Sequence, residues 1–135
     1  MLFVSVVLLV AAVWRLRPAE PQIPFVQYVR QITALQKAGL YIEAGRFIES
    51  LLAESRPEQE RAQLHRLLGR TIYLAEASLQ EHGRENARRI IFNHMRASEA
   101  GLAPEAEDLR QVGTAYEWLG RTDEAIRQYR LALRL

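Results

Sequence analysis

The chain has no cysteine. That rules out disulfides and any thiolate zinc site and leaves the compartment open. Lysine is almost missing as well: of 18 basic residues, all but Lys37 are arginine. Acidic residues number 16, so the net charge is only +2, without the one-signed excess of a typical nucleic-acid binder. The arginine bias reads as the mark of a GC-rich, bacterial coding sequence. Strand signals are lacking, with no alternating apolar run and no Asn-Gly or Asp-Gly turn. The 7 glycines are scattered and form neither a Gly-x-x-x-x-Gly-Lys nor a Gly-x-Gly-x-x-Gly phosphate loop. No serine stands in a Gly-x-Ser-x-Gly setting. His65, His82 and His94 are too far apart to form a ligand pair on one helix face. His94 reads as a hydrogen-bonded core histidine and His82 as a helix-end residue. No catalytic residue, metal or cofactor is therefore expected, and 135 residues leave room for one small domain.

What the sequence does contain is helical periodicity. Leu109, Val112, Ala115, Tyr116 and Leu119 recur at three- and four-residue steps, and so share one helix face. Gly120 follows as a helix stop. Thr122 is placed to cap the next helix, with Asp123 and Glu124 in its electropositive first turn. Ala125, Ile126, Tyr129, Ala132 and Leu133 form the apolar stripe of that helix. Gly113 and Ala125 are small enough to let the two backbones approach, with Tyr116 and Tyr129 filling the space around them. Upstream, Phe25, Tyr28, Val29, Ile32 and Leu35 make one amphipathic helix. Gly39 breaks it, and Tyr41, Ala44, Ile48, Leu51 and Leu52 make the next. Pro57 opens a longer helix carrying Ala62, Leu64, Leu67, Leu68, Ile72, Leu74, Ala75 and Leu79, about two turns longer than the others and unbroken until His82-Gly83. Its partner carries Ala87, Ile90, Ile91, His94 and Met95.

These segments resemble tetratricopeptide repeats. Leu109, Val112-Gly113, Tyr116, Gly120, Ala125, Tyr129 and Ala132 fall where that family puts its helix-packing residues. Leu68-Gly69 and Ile72-Tyr73 match the pattern in the middle pair. In the first pair Gln31-Ile32 stands where the family favours Leu-Gly. The resemblance covers roughly residues 25–135, strong in the last repeat and degenerate in the first two, with Pro24, Pro57 and Pro104 ahead of the three pairs. It implies an all-α fold of three stacked antiparallel hairpins in one right-handed array, with Gly39, Gly83 and Gly120 at the turns. It also implies a groove lined by the first helix of each pair. The candidate partner-binding residues are Arg30, Thr33 and Lys37, then Arg66, Arg70 and Tyr73, then Arg110, Thr114 and Trp118, with Val26, Val29, Gln63, Glu107 and Gln111 beside them. Such a groove suits an extended peptide or a helix of some acidic character, with Trp118 as a candidate anchor. Chaperone-binding members of the family use a lysine, asparagine and arginine clamp. Val29 and Thr33 replace two of its members here, so capture of a chaperone tail is not expected.

The N-terminus carries a different signal. Met1 to Trp14 is apolar except for Ser5, and Arg15, Leu16, Arg17 and Pro18 follow. Fourteen helical residues span ~21 Å against a hydrocarbon core of about 30 Å. The run lacks the cationic start of a signal peptide, and it is apolar all round, unlike a surface helix. With Trp14 and two arginines at its edge it reads as a short membrane anchor, residues 1–17. Residues 18–24 read as a proline-rich linker and residues 25–135 as the repeat domain. The flanking arginines place the repeats on the cytoplasmic side.

Two clusters have bland readings. The carboxylates Glu58 and Glu60, and Glu105, Glu107 and Asp108, stand at helix starts and suit the helix dipole. Arg84, Arg88, Arg89 and Arg96 read as a solvated face paired with Glu81 and Glu85, since no aromatics interleave with them as in a single-strand binder. The expected role is a non-enzymatic, membrane-tethered scaffold for protein or peptide partners, with no nucleic acid. Two alternatives are a structural subunit of a larger membrane complex and the N-terminal regulatory part of a longer protein. The last helix ends in Leu131, Leu133 and Leu135 without a polar cap, which leads to the expectation that further repeats or another chain cover it.

Overall fold

A computed structural model of the chain describes residues 22–135. The expected anchor over residues 1–17 and most of the linker lie outside the described residues. No described helix is long and apolar enough to cross a membrane.

The described chain is all-helical: α1 (Phe25–Lys37), α2 (Tyr41–Leu52), α3 (Glu58–Ala77), α4 (Arg84–Glu99), α5 (Ala106–Trp118) and α6 (Thr122–Leu133). Consecutive pairs are antiparallel hairpins. In the last, Tyr129 of α6 lies against Gly113, while Arg121 at the turn lies over Tyr116. In the middle one, Asn93 meets His65 near one end and Asn86 meets Glu76 near the other. Each hairpin packs on the next in a repeat-like stack. Helices α1, α3 and α5 form one row in which α3 touches both neighbours. Helices α2, α4 and α6 form the other row, in which the backbones do not approach one another, so a cleft opens between each successive pair.

Local chemistry explains the turns. Gly39 and Gly120 adopt positive φ, +75° and +74°, where a Cβ would be strained. Leu40 N–H then returns to Leu35 C=O at 2.9 Å, and Arg121 N–H to Tyr116 C=O at 2.9 Å, satisfying carbonyls that a bare helix end would leave unpaired. Gly83 also lies within a hairpin turn, as the N-cap residue of α4. That wider turn is closed by the Glu76 carboxylate, which accepts from Gly83 N–H and from Asn86. Two arginines close α2, one from the next turn and one from α3: Arg56 donates to Leu51 C=O and Arg61 to Leu52 C=O.

The core runs through Ile32, Ile48, Leu51, Leu64, Leu68, Ile72, Ala87, Ile90, Ile91, Val112 and Ala115. Ala44, Ala87 and Ala125 are all buried at the same register, the fourth position in the second helix of each hairpin. Gly69 and Gly113 sit under rings of the following helix: an added Cβ would come to 2.9 Å from His94 Nε2 and 2.7 Å from Tyr129 Cε1. Where α3 and α5 carry these glycines, α1 carries the fully buried Ile32, and α1 and α2 pack least closely of the three pairs.

Four expectations need correction. Thr122 is the first residue of α6 rather than its cap; Arg121 is the N-cap residue and no side chain caps that end. Helix α3, at 20 residues against 13 in α1 and α5, is about two turns longer as expected, but it stops at Ala77. Leu79 is therefore in the turn and exposed. Met95 is 51% exposed instead of packed, because the facing cleft is open. On α6, Ile126 and Leu133 point outward, Leu133 at 88% exposure; only Ala125 and Ala132 of that stripe are buried, because no further helix follows among the described residues.

Candidate interaction surface

The row α1, α3, α5 carries the residues expected to line a groove. On α1, Val26, Arg30, Thr33 and Lys37 recur at four-, three- and four-residue steps, one stripe of the helix. Val26, Arg30 and Lys37 are exposed. Among the described residues neither cation forms an ion pair with a carboxylate; the Thr33 hydroxyl donates to its own helix at Val29 C=O.

The middle stripe is different, because its charges are used inside the protein. Asp108, on α5, is 3% exposed and accepts from Arg70 Nε at 2.7 Å, while Arg66 Nε lies 3.1 Å away. The same carboxylate accepts from Glu105 N–H at 2.9 Å, and the Glu105 side chain returns the bond at the helix start. Arg66 also donates to Ala103 C=O, and Arg70 to Glu105 at 3.1 Å. Burial alone would raise the Asp108 carboxyl. The hydrogen bond from Arg70, the Glu105 N–H and the Arg70 charge outweigh it and hold the group below its ordinary value. The dipole reading of the helix-start carboxylates thus holds for Glu107, which pairs with Arg110 at 2.8 Å. For Asp108 it understates the role: this carboxylate clamps α5 onto α3.

Behind the clamp lies His94, buried as expected, with its Nε2 3.1 Å from Gln111 Oε1 and its Nδ1 3.8 Å from Asp108. Burial pushes its pKa down, partly offset by the Asp108 charge. Gln111 is therefore a buried partner of the core instead of a groove residue.

At the far end of the row, three rings are stacked. Trp118 packs nearly parallel to Tyr73, at 5.8 Å and 10°, and to His82, at 4.0 Å and 14°. The indole is thus engaged by two of the chain's own rings. Thr114 accepts or donates with Tyr129 OH at 3.0 Å and donates to Arg110 C=O. Of the nine candidates, Arg30 and Lys37 are exposed and form no ion pair among the described residues, Arg110 is exposed with its local partner, Thr33 bonds within its own helix, and the others are engaged in holding the stack.

Asp108 could have been found from sequence. It stands four residues before Val112 and seven before Ala115, on the buried face of α5, and a carboxylate there requires a cationic partner. The stacking of His82 had no local signal, since it joins residues from three separate segments.

The arginine group on α4 is also divided. Arg89 pairs with Glu49 of α2 at 2.6 Å, and Arg96 with Glu99 at 3.5 Å. Arg84 and Arg88 form no ion pair among the described residues, so the expected partners Glu81 and Glu85 do not engage them. No family model matches the chain, and neither a curated protein nor a solved structure matches it.

Proposed function

We propose that the chain is a tetratricopeptide-like scaffold, held at a membrane through residues 1–17, that binds a segment of a partner protein on the α1, α3, α5 row. The observation that carries this reading is the α1 stripe: exposed Val26 beside Arg30 and Lys37, two cations without ion pairs among the described residues, next to a row already rigidified by the Asp108 clamp. A preorganised surface binds at lower entropic cost than one that must be ordered. The free cations favour a partner segment with carboxylates, and we read the role as recruitment instead of catalysis. The apolar Met1–Trp14 run and its flanking arginines support the tether. A second reading, a structural subunit of a larger membrane complex, draws on the exposed leucines in and just after α6, Leu131, Leu133 and Leu135.

The test is affinity capture from native membranes with the intact chain, the Arg30→Glu/Lys37→Glu variant and the Leu131→Glu/Leu133→Glu variant. Loss of a defined partner set in the first variant alone supports the scaffold. Loss only in the second supports the subunit reading. An unchanged partner set in both, or release of the chain by alkaline carbonate, sinks the tethered scaffold.

A further inference from the structure

The two clefts between the second helices of the hairpins are built differently. The first, between α2 and α4 over α3, has a volume of about 220 Å³ and is bridged by the chain itself: Glu49 of α2 reaches Arg89 of α4 at 2.6 Å. The second lies over α5. Its α4 wall is Ile91, Phe92 and Met95, its floor includes Val112 and Tyr116, and it consists of two adjoining hollows of about 390 and 280 Å³ that share Met95 and Tyr116.

Among the described residues no ion pair spans this second cleft. Counted from the equivalent buried alanines, Ala44 and Ala87, the position held by Glu49 is held on α4 by Phe92. The carboxylate that closes the first cleft is thus replaced by a ring that is 57% exposed, next to Met95. Cations gather at the same mouth. Arg84 and Arg88 line it without an ion pair among the described residues, and Arg121 lines it with its charge shared with Glu124 at 2.8 Å. An exposed aromatic and a methionine over a recessed apolar floor mark a surface that is covered in use.

We propose that the cleft between α4 and α6 is a second protein-binding site, distinct from the α1, α3, α5 row. Its occupant is a partner segment that places an apolar side chain beside Phe92 and Met95 and carboxylates on Arg84 and Arg88. The first cleft supplies the template, since there the chain provides its own carboxylate to an α4 arginine. Recessed volume favours a protein segment over a flat lipid surface, because side chains can enter the hollows. The site does not depend on the tether or on the α1 stripe.

The experiment uses the full chain in detergent micelles, panned against a random peptide library, with selected peptides remeasured by fluorescence anisotropy. Acidic peptides carrying an aromatic or aliphatic residue should be enriched. Arg84→Glu/Arg88→Glu should weaken them roughly tenfold or more, and rising salt should weaken them on the intact chain. Arg30→Glu/Lys37→Glu should leave them unchanged. Should the double reversal melt early, Arg88→Gln carries the test at an exposed position, with a loss of roughly threefold expected. Enrichment of peptides without carboxylates, or equal binding by the Arg84/Arg88 variants, overturns the proposal. So does an effect of those variants on phosphatidylserine vesicles with none on peptides, which would assign the cations to a membrane surface.

Discussion

Helix α3 meets a neighbour of its own row on each side, and the two junctions are made of different chemistry. Toward α1 the polar contact is neutral: Gln36 Nε2 donates to Thr71 Oγ1 at 2.8 Å, beside the fully buried Ile32. Toward α5 it is ionic: two arginines converge on one buried carboxylate, with a buried histidine and glutamine behind it. A neutral hydrogen bond adds about 1 kcal/mol and responds little to pH or salt. A buried ionic cluster costs much in desolvation and is strongly destabilising when one partner is removed. The stack is therefore expected to be tolerant of solution conditions at its first junction and sensitive at its second.

The largest effect should come from Asp108→Ala. It strips Arg66 and Arg70 of their shared partner and removes the bond to Glu105 N–H that starts α5. Both arginines are partly exposed and can reach water, so the cost should fall toward the low end of the range for broken buried pairs, about 2–4 kcal/mol. Asp108→Asn keeps an acceptor for the Glu105 N–H and should lose less. Urea melts of the two variants measure this. A cost for Asp108→Ala below about 1 kcal/mol would mean that the clamp does not hold the junction.

The next effect is pH dependence from the same junction. His94 has its folded pKa below the ordinary 6.5, because burial disfavours the cation. The unfolded chain therefore binds the proton more readily, and stability falls as pH drops below about 6.5 toward the lowered folded value. Asp108, also lowered in the folded state, adds a loss in the same direction only below its ordinary 3.8. Melting temperature should decline as pH falls below about 6.5, and His94→Gln should flatten that decline. An equal slope in the variant would assign the acid sensitivity elsewhere.

How much of this was legible in the sequence follows from range. Helix positions, the Gly39 and Gly120 stops and the meeting of Gly113 with Tyr129 were readable, because each depends on spacings within a hairpin. His94 as a core histidine was readable from its place on an apolar face. Arg66 and Arg70 were read as groove residues because their partners lie nearly forty positions away, across a hairpin boundary that helical periodicity does not cross. Met95 was read as packed because periodicity marks a face as apolar without saying whether anything stands opposite. The six-residue turn after α3 misled the assignment of Leu79: nothing local shows that Glu76 turns back to close it.

The smallest effect should be at the neutral junction. Gln36→Leu removes the bond to Thr71, but Thr71 Oγ1 keeps its own bond to Leu67 C=O at 2.7 Å. No buried hydroxyl is left unpaired, so the cost is one net hydrogen bond, partly offset by added apolar contact near Ile32, about 0.5–1 kcal/mol. The residue is half-buried and uncharged, so that cost should be the same at low and high salt and at pH 5 and 7. Asp108→Ala, by contrast, should widen its gap to the parent chain as pH falls from 7 to 5, because His94 then lacks the Asp108 charge that partly offsets its burial. Melts of both variants across the two conditions decide the matter. If Gln36→Leu costs as much as Asp108→Ala, or if its cost moves with pH as steeply, the two junctions are not the different devices that their chemistry describes.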